Sequence, residues 1–156
     1  MFGLFRGKKL EIVSPVSGEV IDLATVEDEV FSQKMLGDGI AVLPESGLFV
    51  APVEGVVSKL FKTRHAYVVR HDSGVEVMVH IGLDTVDLKG EGFKAIVEEG
   101  DHVKAGDPLI EADLDRIESL GKKSVTPVIV SETGKFKTLV KESGFVTAAE
   151  KVMELK

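Results

Sequence analysis

The chain has four histidines and no cysteine, so nucleophilic, acid–base or metal chemistry near neutral pH falls first to imidazole. His71 adjoins the turn residues Asp72-Ser73-Gly74 and His102 follows Gly100-Asp101; both read as solvated loop residues. His65 and His80 differ because the chain folds back between them. If the turn is the two residues Asp72 and Ser73, position 65 lies opposite position 80, with Cβ atoms about 4.5–5.5 Å apart. If Gly74 instead forms a bulge, the register shifts by one residue and the two imidazoles part to opposite faces. The sequence leaves both registers open. Val75, Val77 and Val79 alternate with Glu76, Met78 and His80, which turns the valines inward and His80 outward. An outward, paired histidine can serve as metal ligand, general base, proton shuttle or nucleophile, or as a surface residue with no role.

The elements that must position these histidines are short strands. β-branched runs bounded by Gly, Pro, Asp and Ser recur at Ile12–Leu23, Val50–Val57, Tyr67–Val69, Val75–Val79, Ala95–Val97, Leu109–Ile110 and Val128–Val130. Helical periodicity is confined to Asp113–Gly121, with Asp113 as N-cap and Gly121 just past the end, and to a hint at Phe136, Leu139 and Val140. Pro-Val-x-Gly-x-Val occurs twice, at Pro15–Val20 and Pro52–Val57. The stretch Gly100-Asp101-His102-Val103-Lys104-Ala105-Gly106-Asp107-Pro108-Leu109 resembles the second half of biotinyl and lipoyl carrier domains, without an equivalent of their modifiable lysine. The expected fold is all-β: an antiparallel sandwich or barrel with internal duplication of lipoyl-like half-sandwiches and one or two short helices. Residues 1–10 are expected to form a flexible tail and 11–156 a single domain.

Composition narrows the function. With 156 residues, 44% hydrophobic and 29% charged, the chain can bury a core. A formal net charge of −7 without a clustered basic face argues against nucleic acid. Absence of cysteine excludes disulfides, thiolate zinc sites and thiol nucleophiles, and fits a reducing cytosol. No apolar run reaches the roughly 18 residues of a membrane span. The expected location is therefore cytoplasmic.

The segment His80-Ile81-Gly82-Leu83-Asp84-Thr85-Val86-Asp87-Leu88-Lys89-Gly90-Glu91-Gly92-Phe93 decides between these chemistries. It resembles the active-site signature of the glucose-family enzyme IIA components of the phosphoenolpyruvate-dependent sugar phosphotransferase system: His-x-Gly-x-Asp-Thr, then Leu-x-Gly-x-Gly-Phe. Gly37-Asp38-Gly39, Ala51-Pro52-Val53-x-Gly55, Thr63-x-His65-Ala66 and Thr126-Pro127-Val128 match in order and spacing. The resemblance spans about residues 10 to 156. It implies a phosphoryl carrier in which His80 accepts the group through Nε2 from the small carrier HPr and passes it to a cysteine on the IIB domain of a sugar permease. It further implies that His65 stabilises the phosphoryl group, that Thr63 orients His65, and that the Gly82 carbonyl holds the His80 Nδ1 proton. No cofactor is required. Val30, Phe31, Met35, Leu36, Phe61, Met78 and Val86 correspond to an apolar collar that docks HPr and IIB, with Asp38 and Asp84 as acids facing basic partner residues. The protein is expected to act as a monomer, and family members also signal to regulatory targets through their phosphorylation state.

Two metal readings stand beside this one. The duplicated sandwich also resembles certain zinc endopeptidases, which would use His65 and His80 with Asp38 or Asp84; their His-x-His motif is absent. A zinc ion bridging His65 and His80 to a partner's carboxylate is the weaker variant.

Overall fold

The computed structural model describes residues 8–156, so the expected tail lies largely outside the described residues. Leu10 already belongs to the first strand. Among the described residues there are fourteen strands, in order. They are β1 (Leu10–Val13), β2 (Gly18–Asp22), β3 (Asp38–Pro44), β4 (Leu48–Val50), β5 (Gly55–Leu60), β6 (Ala66–Arg70), β7 (Glu76–His80), β8 (Phe93–Ala95), β9 (His102–Val103), β10 (Pro108–Ala112), β11 (Thr126–Glu132), β12 (Leu139–Lys141), β13 (Gly144–Val146) and β14 (Lys151–Leu155). An eight-stranded sheet, β13-β2-β3-β11-β7-β6-β5-β9, is accompanied by two three-stranded sheets, β1-β14-β12 and β4-β10-β8. The pairings are antiparallel, and the core draws on all three sheets: Ile12, Val42, Phe49, Val77, Ile110 and Met153 share one buried cluster. The expected antiparallel β-sandwich is the observed fold.

Helix is scarce, as the periodicity implies. Helix α2 (Leu114–Ser119) has Asp113 as its N-cap, the carboxylate accepting from Arg116 N at 3.1 Å. The hint near Phe136–Val140 is not helical: Leu139–Lys141 is strand β12, its apolar positions recruited by pairing with β14. Helix α1 (Glu29–Ser32), capped by Asp28, and two 3-10 turns (Leu23–Thr25 and Thr85–Leu88) are too short for periodicity to reveal.

The internal repeat is real and deeper than its motif. Val13 N donates to the Pro52 carbonyl (2.9 Å), and Val50 N to the Pro15 carbonyl (2.8 Å), so the two copies clasp each other reciprocally. The second element of the repeat has a copy too. Ala51 exchanges bonds with Asp107 and Gly106 just as Ser14 does with Glu150 and Ala149. Strand β9 pairs with β5 through Gly55↔Val103, and β13 pairs with β2 through Gly18↔Val146.

Candidate functional site

The turn between β6 and β7 takes the bulged form. His71 N donates to the Val75 carbonyl, Gly74 N to the His71 carbonyl, and Gly74 sits at φ +92°. Register is therefore Ala66↔His80, one residue off the two-residue-loop alternative that would have paired 65 with 80. The shift does not part the histidines, because His65 is not a strand residue. It closes the turn Phe61–Arg64, in which Arg64 N donates to Phe61 O and Arg64 adopts φ +59°. Ala66, directly opposite His80, has no side chain beyond Cβ to block an approach across the hairpin. The two rings meet edge to face with centroids 4.8 Å apart.

Valine alternation holds: Val75, Val77 and Val79 are fully buried, while Met78 and His80 are half-buried on the other face. His65 is almost completely buried, only 2% exposed. Its Nδ1 lies 2.6 Å from Thr63 Oγ1. Among the described residues no buried side-chain nitrogen or oxygen lacks a partner, and His65 Nε2 makes no protein hydrogen bond, so that atom must reach the surface. His80 Nδ1–H donates to the Gly82 carbonyl at 2.8 Å, which leaves Nε2 with its lone pair.

The turn after His80 is built to present that carbonyl. Gly82 adopts φ +82°, and a Cβ there would sit 2.6 Å from Thr85 Cγ2 and 2.7 Å from the Lys123 carbonyl. The buried Thr85 hydroxyl donates to the Ile81 carbonyl at 2.6 Å, and Leu83 N donates to Lys123 O. Thr85 lies within the motif read from sequence, yet its part in shaping the turn shows only in three dimensions.

Both imidazoles are shifted toward the neutral form. Burial, then the neighbouring His80, pushes His65 down to about 4. Burial also lowers His80, against the opposing pull of the Gly82 carbonyl, Asp28 and Asp84. Asp28 is a member of the site that sequence reading missed; its capping pattern before Glu29–Ser32 was the available signal.

The collar residues divide. Met35 (68% exposed), Val86 (50%), Val30 and Leu36 are exposed, as a docking face requires. Phe31 is not part of that exposed face: it is buried, its ring centroid 4.9 Å from His80, because helix α1 folds it under the site. Phe61 stands edge-on to His65 at 5.4 Å, and Met78 packs against a small cluster formed by Leu23, Val26, Phe31, Ala41, Leu83 and Ile129. Asp84 is exposed. Asp38 is instead engaged by the chain's own lysines, Lys141 at 2.6 Å and Lys34 at 3.5 Å. His71 accepts from Ser73 N, and His102 opens β9; neither joins the site. Among the described residues no three of His, Asp and Glu converge as metal ligands, so the endopeptidase reading lacks its donor set.

Residues 10–136 match the family model for the phosphoenolpyruvate-dependent sugar phosphotransferase system, EIIA 1. The chain belongs to this family. It is 46% identical over 155 residues to the PTS system glucose-specific EIIA component of Haemophilus influenzae, covering 98% of this chain and 93% of that one. It is 45% identical over 140 residues to the PTS system N-acetylglucosamine-specific EIICBA component of Klebsiella pneumoniae, which spans 89% of this chain but 22% of the larger protein. The solved glucose permease IIA from Mycoplasma capricolum superposes with a TM-score of 0.92 at 41% identity, covering 97% of this chain and 99% of that one. The zinc-hydrolase alternative finds no support among these relatives.

Proposed function

We propose that this EIIA protein carries a phosphoryl group on His80 Nε2, taken from the phosphohistidine of HPr and given to a cysteine of a sugar permease's IIB domain. The observation that carries the reading is the 2.8 Å bond from His80 Nδ1–H to the Gly82 carbonyl. It fixes the tautomer whose Nε2 can attack. As the new P–N bond forms and the donor's P–N bond breaks, positive charge grows on the His80 ring, and the Gly82 carbonyl stabilises it. In the second step the P–N bond breaks as the thiolate S–P bond forms, returning neutral His80.

His65 supplies a complementary hydrogen-bond donor. With the Thr63 hydroxyl donating to its Nδ1, His65 presents Nε2–H to the phosphoryl oxygens. A neutral His65 also avoids repelling the imidazolium that forms beside it. The exposed Val30, Met35, Leu36 and Val86 would bury against HPr or IIB and keep water from the labile P–N bond, with Asp84 meeting basic partner residues. The same face would serve any target that reads the phosphorylation state. The EIICBA relative, in which the matching region is a minor part of a longer chain, supports a permease partner for the second step. The relay needs no cofactor, because each step exchanges one phosphorylated side chain for another; a zinc ion at His65 and His80 would depend on a partner for its remaining ligands.

Incubation with enzyme I, HPr and phosphoenolpyruvate should place one acid-labile phosphate on the protein, and His80→Gln should abolish it. Labelling that survives in this variant would overturn the assignment. His65→Gln should still accept phosphate but pass it on about 10²-fold more slowly, the scale of losing one charge-stabilising donor.

A further inference from the structure

The end of the sandwich remote from His80 holds a concavity of about 800 Å³. It adjoins Asp72 and Ser73 in the β6–β7 turn, seven residues along the chain from His80 and so on the order of 20 Å away. Among the described residues, Lys8, Lys135, Lys137 and Lys156 line it, with Asp72 the only carboxylate side chain and Ser73 and Phe136 completing the wall.

Topology explains the convergence. Leu10 and Leu139 both take Leu155 as register partner, so the residues just before β1, just before β12 and just after β14 emerge at one end of one sheet. Lys137 N and Thr138 N both donate to the Lys156 carbonyl, at 3.1 and 2.9 Å, which fixes Lys137 beside Lys156. Phe136 is half-buried against the main core and gives the cavity an apolar patch. Lys34, Lys122, Lys123, Lys141 and Lys151 each lie within ion-pair distance of a carboxylate. Lys135, Lys137 and Lys156 have no such partner among the described residues.

We propose that this cavity binds a small, multiply charged phosphate-bearing anion. Gathering Lys135, Lys137 and Lys156 around a single described carboxylate side chain, Asp72, leaves an excess of positive charge that costs repulsion, and a polyanion relieves it. Ammonium groups are point charges with several donors each, able to meet the tetrahedral oxygens of phosphate from more than one side. The volume falls in the range of metabolite pockets, and Phe136 offers a surface for the body of a phosphoester. The site is independent of the histidine chemistry and stands whether or not His80 is phosphorylated.

The test titrates inorganic pyrophosphate into the whole protein at low ionic strength, following backbone amide shifts, with sodium chloride at matched ionic strength as control. Saturable shifts confined to residues 72–73, 135–137 and 156 are expected. The Lys135→Ala/Lys137→Ala double variant should weaken binding at least about fivefold, the scale of losing two solvent-screened charge contacts, while Lys135→Arg/Lys137→Arg retains it. A parallel arm measures sedimentation with anionic and with neutral phospholipid vesicles. Pyrophosphate binding without vesicle binding assigns a soluble phosphate ligand; lysine-dependent binding to anionic vesicles, displaced by pyrophosphate, assigns a lipid headgroup. Shifts that do not saturate, that scatter over lysines elsewhere, or that persist unchanged in the double alanine variant overturn the proposal, as does failure of both arms.

Discussion

The two halves of the duplicated sandwich share a backbone plan, and one of the connections in which they differ shapes the site. Gly39 pairs with Ile129 as Ala66 pairs with His80, so Asp38 and Ile129 stand where the other half has His65 and His80. Between β5 and β6 the chain needs only residues 61–65, and this short turn delivers Thr63 and His65 to the rim. Between β2 and β3 it runs through residues 23–37, long enough to fold back over the outer face of the large sheet. There it buries Ile129 completely and slides Phe31 under His80. A duplicated scaffold thus yields a single site, because one half roofs its own surface and lends that roof to the other half's histidine.

Alanine at Gly18 or Gly55 would strike hardest at the shared plan. Each added Cβ would sit 2.1 Å from the Leu43 carbonyl oxygen or 2.0 Å from that of Arg70, and backbone cannot yield as a side chain does. Each variant should lose about 3 kcal/mol or more of unfolding free energy, with the two losses equal to within ~1 kcal/mol. Urea unfolding measures both, and clearly unequal losses would break the equivalence of the halves.

The next effect is specific to the histidine half. His65 falls to about 4 in the folded protein against an ordinary value of 6.5. Between those values the unfolded chain binds a proton that the folded chain refuses, so stability falls as pH drops through the window. The full loss is on the order of 3 kcal/mol, and the depressed His80 adds in the same direction. Unfolding at pH 7 and at pH 4.5 should show it, and His65→Gln should flatten the slope; an unchanged slope in that variant would move the effect elsewhere.

The smallest change is expected at the counterpart of His65. Burial raises the Asp38 carboxyl, but bonds from Lys141 and Gly39 N and the charges of Lys141 and Lys34 outweigh it, leaving a net lowering. Asp38→Asn should cost at most about 1 kcal/mol after solvent screening and leave phosphoryl acceptance intact. A phosphorylation assay that fails in Asp38→Asn would show that the two positions share more than geometry.

Much of this was written in local pattern. Valine alternation placed His80 outward, Asp113 and Gly121 bracketed helix α2, and the Pro-Val-x-Gly-x-Val echo exposed one element of the repeat. The other element hid because its second copy reads Thr147-Ala148-Ala149-Glu150 where the first reads Lys104-Ala105-Gly106-Asp107. Ala149 adopts φ +72°, so the backbone repeats where the residue types do not. Helix α1 and the buried place of Phe31 were unreadable for a different reason: a single turn carries no periodicity, and its stability comes from what it packs on.

By itself, the sequence determined the all-β class, the duplication and the family, since these rest on residue types at short range. Tertiary structure decided that His65 and His80 meet at all. The bulge at Gly74 shifts the strand register against them, and only the turn Phe61–Arg64 and the space over Ala66 bring the rings together. The lowering of both imidazoles below their ordinary value is tertiary as well, because it comes from burial against chain distant in sequence.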